Sequence, residues 1–411
     1  MATLSGFVPG AELDTSVAEL SQAVRDLRSS AGLGAVDPKQ RGKAIELAQT
    51  VLGSLKHPIE AMMDEYFGIS FIMATRLFAS LGGFEHIPSE EPISYNDLAK
   101  KLDSDTSLIK RVAWVLVANG LLKQVDSDKV THTPRSKVFA GPHSLHPAFQ
   151  YMASVSIPVL FALPDYFEKY GRKEPATRTH TPYSFAHGKP ELTVWEVMRQ
   201  DSDRNGVAEG MRAFGAFEKM MPMAGVYDFG WVAREAAADP AGTRALVVDV
   251  GASKGHVTKA ICESTPGLPM SRCVLQDLPE VVAELEKADD PALRDAQKIA
   301  MDFHQEQPVK GALVYFIRRC LHDYGDEECV EILRVIADAM APDSRLVIME
   351  QIMSNPPIAM CAATDLFMMN LGGKERTVEG FGELASKAGL KISNVNLTEG
   401  FGLSAVECAQ A

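Results

Sequence analysis

The feature that most constrains this chain is a change of grammar near residue 243. From there, short runs rich in β-branched residues ("ALVVDVG", "RCVLQD", "GALVYFI" and "RLVIMEQIM") alternate with stretches of helical spacing such as "SKGHVTKAICES" and "DEECVEILRVIADAM". Strands alternating with helices predict crossover connections, a parallel sheet and an α/β domain. Such sheets take ligands outside the carboxyl ends of their strands, so chemistry is expected directly after each apolar run.

Upstream the pattern is helical. "TSVAELSQAVRDLRSSAG" and "QRGKAIELAQTVLGSLKHP" carry apolar residues at helical spacing, and "SSAGLG" and Pro58 predict their ends. The stretch "EAMMDEYFGISFIMATRLFASLGGF" is apolar on nearly every face. A helix of that kind is expected to be buried, in its own core or in a second copy of the chain. "ISYNDLAKKLDSDTSLIKRVAWVLVANGLLKQVDSDKVTHTPRSKVF" then predicts helix, turn, helix and hairpin, the order of a winged helix. Its second helix offers Lys110 and Arg111 but turns apolar at once, which fits packing better than DNA reading. Residues 145–235 read as mostly helical, with Met-rich pieces such as "AFEKMMPMAG" expected mainly in the core.

Bulk properties exclude several classes. The chain has 411 residues and a net charge of −13, which opposes a basic nucleic-acid footprint and a polybasic membrane anchor. No apolar run reaches the roughly 20 residues of a bilayer span, and "MATLSGFVPGAELDTS" lacks the pattern of a secretory signal. The six cysteines (Cys262, Cys273, Cys320, Cys329, Cys361 and Cys408) include no C-x-x-C pair. Reduced thiols, a cytoplasmic location and no bound metal are therefore expected.

Four motifs sit where the sheet should bind ligands. In "LVVDVGASKGHVTKA", Gly251 and Gly255 bracket a turn from a strand ending at Asp249 into a helix, where backbone approaches a ligand closely. The middle glycine of a dinucleotide fingerprint is missing. In "CVLQDLPEVV", Asp277 ends the next strand, where an acid holds the two hydroxyls of a ribose. In "KIAMDFHQE", Asp302 is placed to accept from an adenine amino group while Phe303 covers the ring. In "YFIRRCLHDYGDEEC", a strand delivers His322 and Asp323 to the same crevice. A lone histidine is usually structural, but Glu350 in "VIMEQ" and Glu375 in "NLGGKERT" are expected to converge on this one and orient it as a general base.

Together these residues resemble the small-molecule O-methyltransferases of the plant caffeic-acid type and their fungal relatives, which use S-adenosylmethionine. The resemblance covers nearly the whole chain and is most specific at "LHDYGDEEC" and "NLGGKERT". It implies a helical, winged-helix dimerisation domain over 1–145, a helical connector over 146–240 that helps form the substrate pocket, and a Rossmann-like class I methyltransferase domain over 241–411. It further implies that Asp249, Gly251, Gly255, Asp277, Leu278, Asp302, Phe303 and Arg318 hold the cofactor. His322 would deprotonate the acceptor hydroxyl between Glu350 and Glu375. Asp323, Asn370, Met360, Phe367 and Met368 would contact the acceptor. Apart from the resemblance, His146 in "SLHPAFQYM" is a candidate to reach the pocket from the connector, set against a structural role. Ala252 departs from the family's usual glycine, and Tyr324 from its frequent tryptophan.

The leading expectation is methyl transfer to a phenolic or enolic hydroxyl by a homodimer, on a small-molecule secondary metabolite. The alternative is a relative that keeps S-adenosylmethionine as an electrostatic element for dehydration or pericyclic chemistry; the presence of His322 with both glutamates favours methyl transfer. A non-enzymatic DNA-binding role is disfavoured by the acidic balance and the cofactor motifs.

Overall fold

The computed structural model describes residues 10, 12–31, 38–141, 144–201, 225–398 and 402–411. The chain divides into two compact units, Met1–Ala153 and Ser154–Ala411. The segment expected as a connector is shared between them. Its helix His146–Tyr151 belongs to the first unit, and Ile157–Tyr170, Pro182–Ala186, Val194–Asp201 and Gly230–Ala238 belong to the second. Most of the Met-rich piece "AFEKMMPMAG" lies outside the described residues.

In the first unit, helices Leu13–Ala31, Pro38–Leu55 and Pro58–Ser80 precede a small sheet of β1 (Ile93–Ser94), β2 (Leu122–Val125) and β3 (Lys129–His132) in the order β1-β3-β2. Helix Thr106–Ala118 starts on Asp105, whose carboxylate accepts the N–H groups of Ser107 and Leu108. Its buried residues Ile109, Val112, Ala113 and Leu116 recur at helical spacing and pack with Phe78, Phe84, Leu98 and Leu122. The apolar run that follows Lys110 thus fills this unit's own core, while the Lys110 ammonium lies over the Trp114 ring. The all-round apolar helix behaves differently from end to end. Its last turns bury Ala74, Thr75, Phe78 and Ala79, whereas Met62, Tyr66 and Phe67 are more than half exposed.

The second unit is built on a seven-stranded sheet in the order β6-β5-β4-β7-β8-β10-β9. β4 (Val247–Val250), β5 (Cys273–Asp277), β7 (Val314–Arg318) and β8 (Arg345–Gln351) are the four runs expected from sequence, and with β6 (Gln297–Ala300) they pair in parallel. β9 (Leu390–Asn396) and β10 (Leu403–Gln410) add an antiparallel edge. Successive residues point to opposite faces, and both faces are covered. Val248, Tyr315, Ile317, Leu346 and Ile348 pack into one core, and Val247, Val314, Phe316, Val347 and Met349 into the other. From β4 the chain builds outward through β5 and β6, then returns to β7 on the other side of β4. That reversal opens a crevice at the carboxyl ends of β4 and β7, the site such sheets offer to a ligand.

Candidate active site

The loops after β4, β5, β6 and β7, the loop after helix Ala359–Met369 and the end of β8 furnish the crevice. The first loop follows β4, which runs one residue beyond the expected end at Asp249. Asp249 is buried, and its carboxylate accepts the Thr258 hydroxyl at 2.6 Å. Burial lifts its pKa to about 6, with the Thr258 bond opposing that shift. Gly251 has φ +79°, and a Cβ there would stand 2.7 Å from Cys320 Sγ. Gly255 has φ +69°, and a Cβ would press on Leu293 and Leu275. Both positions demand glycine for conformation and for space. Ala252 does not: its N–H bonds the Gln276 carbonyl at 2.9 Å, and its methyl is buried.

Asp277 ends β5 with one carboxylate oxygen on the Ser253 N–H at 2.7 Å and the other on its neighbour Leu278 N–H at 2.8 Å. The β4 and β5 loops are thereby tied together. Burial raises the Asp277 pKa, and the two N–H groups oppose that shift. After β6, Asp302 accepts the His304 N–H at 3.0 Å. Phe303 lies beside Gly251, and its ring meets the Tyr324 ring edge-on at 5.9 Å. Arg318 closes β7, within electrostatic reach of Asp249.

The turn after β7 carries His322. His322 sits in a short 3-10 turn, Leu321–Asp323, and is 6% exposed. Its Nδ1 lies 3.0 Å from Glu375 Oε1 and 3.8 Å from Glu350 Oε2; its Nε2 faces Asp323 Oδ1 at 3.7 Å, beyond hydrogen-bonding reach. Glu350 lies within β8 and is completely buried. Its Oε1 accepts the N–H groups of Cys320 and Leu321, each at 3.0 Å, so this carboxylate holds the backbone of the turn as well as facing the ring. Burial alone would drive His322 towards its neutral form. The carboxylates of Glu350, Asp323 and Glu375 outweigh it and raise the pKa to about 9.

Glu375 arrives on the loop after helix Ala359–Met369. A Cβ on Gly373 would collide with the His322 carbonyl oxygen and the Asp323 backbone, so glycine lets this loop lie directly on the turn that carries His322. The Glu375 N–H is fixed by Asp365 Oδ1 at 2.8 Å.

Sequence reasoning missed Arg376, which is 4% exposed. Its guanidinium donates to the carbonyls of Leu321 and Tyr324 and to Asp326 Oδ1, at 3.1, 2.8 and 2.9 Å. It clamps the turn from the side opposite in sequence to Glu350. The only signal was its position next to Glu375, because its partners are carbonyls and carry no sequence mark.

The residues expected to meet an acceptor divide. Asn370 is buried, its carbonyl accepts the Tyr183 N–H at 2.9 Å, and its side-chain Oδ1 has no hydrogen-bond partner among the described residues. Met360 is 59% exposed, while Phe367 and Met368 are half-buried on the same helix. His146 belongs to the first unit, where its Nδ1 stands 3.3 Å from Glu85 Oε1. The crevice carries the carboxylates of Asp249, Asp277, Asp302, Asp323, Glu350 and Glu375, several of them buried, with Arg318 and His322 among its basic groups. A cationic ligand that also offers hydroxyl donors fits such a lining.

Three comparisons bear on identity. A family model described as an O-methyltransferase domain matches residues 236–391. The methyltransferase cfoD of Aspergillus candidus is 33% identical over 408 residues, 97% of this chain and 99% of that protein. Two solved structures superpose over nearly the whole chain at 25% identity. One, described as a pericyclic reaction enzyme, has a TM-score of 0.83 over 97% of this chain and 100% of its own. The other, LepI in complex with SAM (S-adenosylmethionine), has a TM-score of 0.82 over 96% and 100%.

Proposed function

Because the chain belongs to the S-adenosylmethionine-dependent O-methyltransferase family, we propose that it methylates a hydroxyl oxygen of a phenolic or enolic small molecule, a secondary metabolite, with His322 as the general base. The observation that carries this reading is the buried imidazole with Nδ1 bonded to Glu375 and Nε2 without a hydrogen bond among the described residues. Glu375 keeps the proton on Nδ1, so Nε2 is the atom that takes the acceptor's proton. An ordinary imidazole is too weak a base for a phenol, whose pKa is about 10. At about 9, His322 comes within roughly one unit of it, but the same shift keeps the ring mostly protonated near neutrality, so only the neutral fraction, which grows as pH rises towards 9, takes the acceptor's proton. Asn370 Oδ1 is a buried acceptor suited to a second hydroxyl of the same molecule.

The acidic crevice fits the cofactor, a cation that carries a ribose diol. Asp277 would take the ribose hydroxyls, Asp302 and Phe303 the adenine, and the Gly251–Gly255 loop with Asp249, Leu278 and Arg318 the remainder. When bound, S-adenosylmethionine supplies a methyl group already activated by its sulfonium. The chain's own part is then to align the acceptor oxygen and remove its proton as attack proceeds, a contribution of roughly 10²–10⁴-fold for a placed base.

A second reading rests on the 25% identity to a pericyclic reaction enzyme and to LepI. There the cofactor would stay intact and the acceptor would rearrange. The experiment is incubation with S-adenosylmethionine and a panel of phenolic and polyketide-like acceptors, followed by mass spectrometry, with His322→Ala alongside. S-adenosylhomocysteine and a methylated product, both lost in the variant, support methyl transfer. A rearranged product of unchanged mass with intact cofactor supports the second reading.

We further propose a homodimer built on the winged-helix unit, supported by the exposed Met62, Tyr66, Phe67 and Ile69 on a single helix. A monomer by light scattering at micromolar concentration would overturn it. Among the described residues no helix is long and apolar enough to cross a membrane. All six cysteines are free thiols, which supports the cytoplasm as the location.

A further inference from the structure

The base is enclosed, so the proton it takes must leave before the next turnover. We propose that it leaves through Asp323 and a one-water chamber to Glu328, which acts as the positioning residue that hands it to solvent. This inference rests on the reading of His322 as the proton acceptor.

Asp323 Oδ1 stands 3.7 Å from Nε2. Asp323 also lines a cavity of about 20 Å³, whose other walls include Tyr324, Glu328, Arg178 and Trp195. That is room for one water, and three of these walls are polar or charged, as a held water requires. The Glu328 side chain is 16% exposed, and its Oε1 lies 3.8 Å from Arg178 Nε, on a side chain that is 45% exposed. The path therefore runs from a sealed imidazole to a carboxylate that reaches bulk water.

Charges along the path suit transient loading. Asp323 is pushed up by burial, against the pull of His322 and Arg319. Glu328 is pushed up by burial, with Arg178 opposing and Glu331 adding to the shift. Burial thus moves both carboxyls towards their protonated forms. The steps balance: a side-chain rotation of Asp323 closes the 3.7 Å gap to Nε2, Nε2–H gives its proton to that carboxylate, the carboxyl gives one to the chamber water, the water passes one to Glu328, and bulk water takes it. Each group returns to its starting form, and no electrons are exchanged.

Glu328 also has a structural use. It stands three residues after Gly325, the N-cap of helix Asp326–Ala337, and its carboxylate accepts the Gly325 N–H. Glutamine serves that cap equally well, yet it cannot carry the proton. The two roles therefore separate in one substitution.

The test reads exchange of the His322 imidazole protons with solvent by NMR on ¹⁵N-histidine-labelled protein, with His132 in the other unit as internal control. Glu328→Gln should slow His322 exchange by at least about tenfold and leave His132 unchanged; Glu328→Asp should restore most of the rate. Arg178→Gln, which leaves the cap alone, should slow it by a smaller factor. Equal rates in wild type and Glu328→Gln would overturn the relay, as would equal slowing by Gln and Asp. The measurement uses neither cofactor nor acceptor, so its failure would leave the methyl-transfer reading standing, and failure of that reading would leave the exchange result intact.

Discussion

Two glycine loops press on the same turn and do so differently. Gly251, after β4, approaches Cys320 through side-chain atoms; Gly373, after helix Ala359–Met369, lies on the His322 carbonyl and the Asp323 backbone. A side chain can swing aside, but backbone held by Glu350 and Arg376 cannot. The first loop is therefore adjustable and suits a site that admits a ligand. The second is rigid and suits a site that fixes a base.

The largest effect is expected at Gly373→Ala. Its Cβ must displace the catalytic turn, and a misplacement of about 1 Å costs on the order of 10²-fold in rate. Methyl transfer should fall by at least that factor while cofactor binding, read by calorimetry, stays near wild type. Arg376→Ala comes next: it strips charge-assisted bonds from two carbonyls of the turn and should lower stability by roughly 3 kcal/mol, seen as a lower urea midpoint at unchanged m.

Glu375→Gln removes one of the three carboxylates that hold the imidazolium, and the His322 pKa should drop from about 9 by about one to two units. The sign of the linked stability follows from the raised value. The folded pKa of about 9 exceeds the ordinary 6.5, so the stabilisation, up to roughly 3 kcal/mol, is complete below pH 6.5 and is lost as pH rises through 9. The variant should lose part of that dependence in denaturation experiments at pH 6 and pH 10.

Gly251→Ala should be milder, about 1–2 kcal/mol from the positive φ plus a contact with Cys320. Adding Cys320→Ala should recover the contact share of the lost cofactor affinity and not the conformational share. If Gly251→Ala proves as damaging as Gly373→Ala and resists that rescue, the contrast between the loops fails. Ala252→Gly should shift stability by less than about 1 kcal/mol, because the alanine already fits.

Much of this was legible in the sequence, for identifiable reasons. β4, β5, β7 and β8 are buried on both faces and so read as continuous apolar runs. β6 (Gln297–Ala300) is an edge with exposed ends, and β9 mixes Lys391, Ser393 and Asn394 with apolar residues, so neither stands out. His322, Glu350 and Glu375 were legible because three titratable residues each follow or end an element at the same edge of the sheet. Arg376 was not, since its role depends on where carbonyls point. The helix Pro58–Ser80 was expected to be buried in its own core or in a second copy; within the chain only its last turns are buried, because which neighbour covers a helix is something periodicity cannot name.

The central claim is that a carboxylate cage makes His322 a strong, enclosed base. A ¹⁵N-histidine NMR titration of the resting protein tests it most directly, with His322→Gln used to assign the signal. The account predicts a midpoint near 9. A midpoint at or below the ordinary 6.5 would mean that burial outweighs the carboxylates, and would contradict it.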